Sequence, residues 1–378
     1  MTLRIEQFVQ GQGPGDGSVD AFLSAGAFPI VEDDRVTFVF RGEADAVKLW
    51  HAIYGLPTYQ TFTRVDWTDL WYLTLDLPRG SRMEYKLLVE HKGRRQLVRD
   101  PLNPEVSHDP FGTNSVCLGA GYEKPDWAFD DPEARAGTVE EHELPAPSFG
   151  GTRRVQVYLP ARMRLTRRYP LLVLHDGGDY LRFSRLKSVL DNLIHRLEIP
   201  PMVVACTQAL DRMKEYMADP AHAAFIVDDL LPALEAMFPL ASDPASRGLG
   251  GASLGAVASL FTAWRYPRTF GRLLLQSGSF AFTDIGRTYR GPVFEPVVQF
   301  VNAFRARPGT PVEQIFVSCG VYESLIYENR SMVPFLERTG IDVRYVESRD
   351  GHNWENWRDR LREGLSWLFP GPLWMIYE

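Results

Sequence analysis

About two-thirds of the way along the chain stands Gly251-Ala252-Ser253-Leu254-Gly255, a serine with a glycine two residues away on either side. The preceding run Ser246–Gly250 reads as a strand, and Leu254–Trp264 reads as a helix. A serine at such a strand-to-helix turn is exposed for nucleophilic attack, and the glycines remove side chains that would collide with neighbouring backbone. A hydroxyl is a weak nucleophile until a base takes its proton. Of the eight histidines only His352 follows Ser253, in Asp350-Gly351-His352-Asn353-Trp354. Where such an elbow tops a sheet the order along the chain is serine, acid, histidine. The acid expected between them is Glu323, because it directly follows the strand Gln314–Ser318, at the carboxyl edge where such sheets bind ligands. Asp284, Glu328 and Asp350 are the alternatives, and Asp350 is too near His352 in sequence to reach its far ring nitrogen easily.

An attacked carbonyl needs two N–H groups aimed at its developing oxyanion. Leu254, the residue after the nucleophile, is expected to supply one. The other is expected from His175-Asp176-Gly177-Gly178-Asp179, with Gly178 favoured over Gly177. His175 reads as a residue that orders this loop rather than as a base. Trp354 and Trp357 read as half core and half pocket wall, and Arg212 with Glu215 as either a structural ion pair or an anion contact. Glu140-Glu141-His142-Glu143 mimics a metal cluster but reads as a solvated strand edge. With no HExxH, P-loop or strand-following GxGxxG, the expected chemistry uses no metal or organic cofactor.

Two kinds of element must position these groups. From Arg35 to Leu118 short β-rich runs alternate with turn signals, and Met83–Glu90 alternates apolar and polar residues with the period of a half-buried strand. That spacing predicts a small antiparallel β-sandwich over residues 1–130, linker included. From 137 to 378 strands alternate with helices. Tyr169–Leu174, Met202–Thr207, Arg272–Gln276 and Gln314–Ser318 are near-continuous apolar runs that suit parallel strands covered on both faces. Asp219–Phe238 and Trp354–Phe369 read as amphipathic helices. The expected fold class is therefore α/β: a mostly parallel sheet with helices on both faces, preceded by the sandwich.

Composition narrows the partners. The 378 residues carry 48 Asp plus Glu against 41 Lys plus Arg, a net charge of −7, which argues against a general nucleic-acid binder. The three cysteines, Cys117, Cys206 and Cys319, form no CxxC spacing and no disulfide framework. The sequence opens without a basic, then apolar, leader and contains no run of about 18 apolar residues, so a cytoplasmic protein off the membrane is expected.

In these motifs the chain resembles the enterochelin (ferric enterobactin) esterase-like branch of the esterase D family of α/β hydrolases. The matching pieces are Arg153–Pro160, Asp176-Gly177, Leu210-Asp-Arg212 with Glu215, Gly250–Gly255, Gly320 with Glu323, and Gly351-His352-Asn-Trp354 with Trp357. Relatives often carry Gly-Gly-His where this chain has Asp350-Gly351-His352. The resemblance implies an α/β-hydrolase core, a triad of Ser253, Glu323 and His352, and a first domain similar to carbohydrate-binding early-set domains. It implies a small-molecule ester substrate, either a ferric siderophore or an acylated sugar. The leading expectation is a serine ester hydrolase of siderophore-esterase type working through an acyl-enzyme. Its rivals are an acetyl or feruloyl sugar esterase and a non-catalytic binding protein on the same scaffold. Arg162, Arg164, Arg167 and Arg168, or Arg94, Arg95 and Arg99, are the basic residues weighed for an anionic substrate. The oligomeric state is not readable from the sequence.

Overall fold

The computed structural model describes residues 2–11, 17–283 and 291–372, so Asp284, one of the alternative acids, lies outside the described residues. The chain divides into two units. The first comprises Met1–Lys124 with two short segments, Val321–Glu323 and Ser348–Asn353; the second comprises the rest.

Among its described residues the first unit is built on ten strands: β1 (Ile30–Glu32), β2 (Arg35–Arg41), β3 (Ala46–His51), β4 (Tyr59–Thr61), β5 (Thr63–Arg64), β6 (Leu70–Asp76), β7 (Arg82–His91), β8 (Arg94–Val98), β9 (Val106–Asp109) and β10 (Gly112–Leu118). They form one sheet of order β1-β2-β6-β5 and another of order β4-β3-β7-β10-β9, with β8 added on β7. Alternation puts one face of each sheet inward: Val36 and Phe38 of β2 meet Val47 and Leu49 of β3 and Tyr85 and Leu87 of β7 in a single apolar cluster. Two short helices, Arg4–Gln10 and Gly17–Ser24, were not expected from the sequence. Ile5, Val19 and Phe22 bury them against Phe28, Ile30 and Leu70.

The second unit carries an eight-stranded sheet: β11 (Thr138–Ala146), β12 (Gly151–Leu159), β13 (Leu171–His175), β14 (Val203–Thr207), β15 (Arg247–Ala252), β16 (Arg272–Gln276), β17 (Gln314–Gly320) and β18 (Asp342–Ser348), in the order β11-β12-β14-β13-β15-β16-β17-β18. β11 and β12 run antiparallel, whereas β14-β13-β15-β16-β17 are parallel. The parallel strands are apolar on both faces for a visible reason. Leu171 and Val173 join one core with Leu273 and Leu275, while Leu172 and Leu174 join the other with Leu274. Helices Leu254–Arg265 and Glu295–Ala306 cover the first face, and Leu186–His195 and Trp354–Leu368 cover the second. The helix expected over Asp219–Phe238 is interrupted: Pro220–Ala224 and Leu231–Met237 flank a π-helical stretch, Phe225–Leu230. Pro232 donates no backbone hydrogen bond, which favours such a register change one turn before it.

The three cysteines are buried and form no disulfide. Burial pushes the thiols of Cys117 and Cys206 up to about 12, so both act as small apolar residues. Among the described residues no helix is long and apolar enough to cross a membrane.

Candidate active site

Ser253 stands where β15 ends and the helix Leu254–Arg265 begins, with φ 59° and ψ −117°. That is a costly conformation for a non-glycine residue and is held by its surroundings. Ser253 N–H donates to Gln276 O at 2.9 Å, and Ser253 O accepts from Ser279 N–H at 3.2 Å. The flanking glycines are needed because the turn folds onto itself. A Cβ on Gly251 would lie 2.9 Å from the Gly255 carbonyl carbon, and one on Gly255 would lie 3.1 Å from His175 Cβ. The Ser253 hydroxyl is 3.2 Å from that of Ser279. The turn also leaves Leu254 N–H at the start of the helix, in the first turn, where N–H groups have no intrahelical acceptor.

β13 lies beside β15 and runs parallel to it, so the loop after His175 opens next to the elbow. Asp176 turns the chain with φ 52°, and a short helix begins at Gly177. A Cβ at Gly177 would stand 2.3 Å from Cys206 Cα, so this position tolerates only glycine; one at Gly178 would find 3.3 Å to Gln156 Oε1. His175 is fully buried. Its Nδ1 lies 3.0 Å from Gly250 O and its Nε2 lies 2.9 Å from His222 Nε2. Burial, with His222 adding to it, holds the His175 imidazole well below its ordinary range. A neutral ring that donates from Nδ1 to Gly250 O offers Nε2 as acceptor, and His222 Nε2–H donates to it. His175 thus braces the strand that leads into the elbow.

Arg212 follows β14 in the same unit and its side chain is 38% exposed. It does not pair with Glu215: its Nε donates to Asp176 Oδ2 at 2.8 Å and its Nη2 to Ala252 O at 3.4 Å. Burial raises the Asp176 carboxyl while Arg212 opposes the rise. Glu215 instead accepts from the backbone N–H of Leu210 and Asp211 and faces Arg153 at 3.5 Å. Arg212 is thereby fixed against the residue that precedes Ser253. The arginines after β12 are elsewhere. β12 runs antiparallel to β14, so Arg162, Arg164 and Arg167 line a cavity of about 700 Å³ with Tyr169 at the amino edge of the parallel strands, away from the elbow. Arg94 and Arg95 lie on the exposed strand β8 of the first unit. Trp357 is buried and donates its indole N–H to Ser277 Oγ at 2.9 Å, whereas Trp354 is half-buried and meets Tyr180 edge-on. The Glu140–Glu143 stretch lies on edge strand β11, with its three glutamates exposed.

Glu323 and His352 belong to the first unit, in its two short segments. The Glu323 carboxylate is buried, with its side chain 2% exposed, and Oε2 accepts from His352 Nδ1 at 2.5 Å. The imidazole is 37% exposed. Of the alternative acids, Glu328 lies inside the helix Ile326–Glu337 of the second unit, and Asp350 is directed elsewhere. Asp350 accepts from Gly351 N–H at 2.7 Å and Asn353 Nδ2 at 2.8 Å, and faces Arg82 Nη1 at 3.3 Å. Burial pushes the Asp350 carboxyl up to about 7 although Arg82 opposes it. Arg82, which touches this loop, was not suggested by the sequence.

An eight-stranded, mostly parallel sheet covered on both faces, with a serine elbow and a histidine–carboxylate pair on loops after its strands, defines an α/β hydrolase. The chain belongs to the esterase family whose model, described as "Putative esterase", matches residues 146–368, and it is a carboxylic ester hydrolase. It is 25% identical over 352 residues to the iron(III) enterobactin esterase of Escherichia coli strain K12, covering 84% of this chain and 85% of that one. It superposes with a TM-score of 0.77 on the ferric enterobactin esterase of Salmonella typhimurium, at 21% identity, covering 92% of this chain and 98% of that one. An acetyl esterase of Caldicellulosiruptor saccharolyticus is 23% identical over 166 residues, 38% of this chain and 62% of that one.

Proposed function

We propose that this protein hydrolyses the ester bonds of an anionic, siderophore-type small molecule through a serine-bound acyl intermediate. The observation that carries the chemistry is the bond from His352 Nδ1–H to the buried Glu323 carboxylate. It leaves the lone pair on Nε2 as the base, and the carboxylate stabilises the imidazolium once the proton has moved. Ser253 Oγ attacks the ester carbonyl as His352 Nε2 takes its proton. The N–H groups of Leu254 and Gly178 receive the oxyanion. His352 then returns the proton to the departing alcohol, and water, activated by the same nitrogen, clears the acyl group from Ser253. Arg212, oriented by Asp176, supplies positive charge to an anionic substrate, and Trp354 with Trp357 behind it forms an apolar wall.

The siderophore class is supported by the extent of similarity: the enterobactin esterase of strain K12 matches both units, whereas the acetyl esterase matches less than half of this chain. Membership of the esterase D branch and a cytoplasmic location belong to the same reading. A sugar-ester esterase with a carbohydrate-binding first unit is the second reading, favoured by the acetyl esterase likeness. Hydrolysis of enterobactin, free and iron-loaded, measured beside acetylated and feruloylated sugars decides between them. We expect kcat/KM at least tenfold higher on the trilactone. Turnover confined to sugar esters would overturn the siderophore assignment and leave the ester chemistry standing.

A further inference from the structure

The first unit holds a fully buried guanidinium, and a buried cation needs a reason. Arg82, at the start of β7, is 1% exposed. Its Nη1 faces both oxygens of Asp350, at 3.3 and 3.4 Å, and donates to Asn353 Oδ1 at 3.0 Å. Its Nη2 donates to Glu84 Oε1 at 3.0 Å, and Glu84 Oε2 accepts in turn from Asn114 Nδ2 at 2.7 Å. Its backbone N–H donates to Arg349 O at 2.9 Å. The residues gripped, 349, 350 and 353, bracket His352. Asn353 Nδ2 also closes on Asp350, so one planar fork and one amide brace the loop from both sides of the imidazole.

The neighbouring residue does the same for the acid. Ser81 Oγ is 2.6 Å from Tyr322 Oη, one residue before Glu323. Tyr322 O accepts from Tyr54 N–H at 2.7 Å, and Tyr322 N–H donates to Asp350 O at 3.1 Å. The acid loop and the histidine loop are thus fastened to each other and to residues 81 and 82 of the sandwich.

From this juxtaposition we infer that Arg82 is a positioning residue for His352: its guanidinium, bridging Asp350 and Asn353 on either side of the histidine, holds the imidazole in register with Glu323. The inference rests on the assignment of His352 as the base. A displacement of about 1 Å at a reacting group costs on the order of 10²-fold in rate, so a clamp of this kind is expressed in kcat. Lysine carries the charge but not the fork, and from one nitrogen it cannot reach Asp350, Asn353 and Glu84 in these directions.

The test compares wild type, Arg82→Lys, Arg82→Ala and His352→Ala on an activated aryl ester at pH 8.5, where Asp350 is ionised, with rates expressed per folded molecule. We expect Arg82→Lys to lose at least tenfold in kcat with KM within threefold of wild type. Arg82→Ala should lose about 10²-fold, with activity partly restored by added guanidinium and not by sodium at equal ionic strength. A role confined to folding would lower the folded fraction and leave kcat per folded molecule unchanged, and that result in Arg82→Lys overturns the inference even if Arg82→Ala fails to fold. An inert wild type, or a fully active His352→Ala, overturns the catalytic assignment itself. Active wild type and inactive His352→Ala with Arg82→Lys at full rate overturns only the clamp.

Discussion

An imidazole works as a base from the nitrogen whose lone pair is free, so what holds its other nitrogen sets its chemistry. For His352 that partner is Glu323, 97% removed from solvent, at 2.5 Å. Glu323→Gln keeps the shape but permits the opposite tautomer. It is expected to lower kcat on an aryl ester by roughly three to four orders of magnitude with KM little changed. Steady-state kinetics checks this, and a loss below tenfold would make the enzyme a serine–histidine pair. The elbow at Ser253 and the pairing of Glu323 with His352 were legible in the sequence because each is a reactive residue type at an expected place in chain order. Arg82 was not, since its partner Asp350 is 268 positions away and nothing local marks a residue as one end of a buried pair. Asp176 was hidden for the same reason: its role is to hold Arg212, 36 positions on, and that pairing replaces the one expected with Glu215.

Elements position these residues through backbone contacts that glycine alone permits. At Gly177 an added methyl would meet Cys206 Cα and Cβ at 2.3 Å, in the strand β14 next to β13, while at Gly178 the nearest atoms are side-chain oxygens at 3.3 and 3.4 Å. Gly177→Ala must therefore push the start of this helix away from β14 and is expected to cost about 1–3 kcal/mol or more, seen as a lowered Tm. Gly178→Ala should move Tm little; equal effects of the two would contradict the packing described. The parallel strands were legible because burial on both faces leaves a continuous apolar run. The π-helical stretch Phe225–Leu230 was not, because the stripe of apolar residues there fits an ordinary helix, and the change of register comes from tertiary fit and Pro232. The helices Arg4–Gln10 and Gly17–Ser24 escaped for a different reason. They have seven and eight residues, too short to display periodicity, and are held by packing under Phe28 and Leu70 rather than by propensity.

At the scale of the molecule, the residues proposed for catalysis fall in both units: Ser253 belongs to the second, Glu323 and His352 to the first. Within the first unit, Ser81 and Arg82 of the sandwich hold the loops that carry Glu323 and His352. The α/β class and the sandwich before it were legible from rhythm alone; the assignment of two short late segments to the first unit was not, because it depends on contacts across more than two hundred positions. The proposed chemistry requires one nucleophile, Ser253. Intact-mass and peptide analysis after incubation with a fluorophosphonate at neutral pH tests it most directly. A single adduct on the peptide carrying Ser253 is expected, absent in Ser253→Ala and formed at least 10²-fold more slowly in His352→Ala. An unmodified wild-type chain, or an adduct on any other serine, would contradict it.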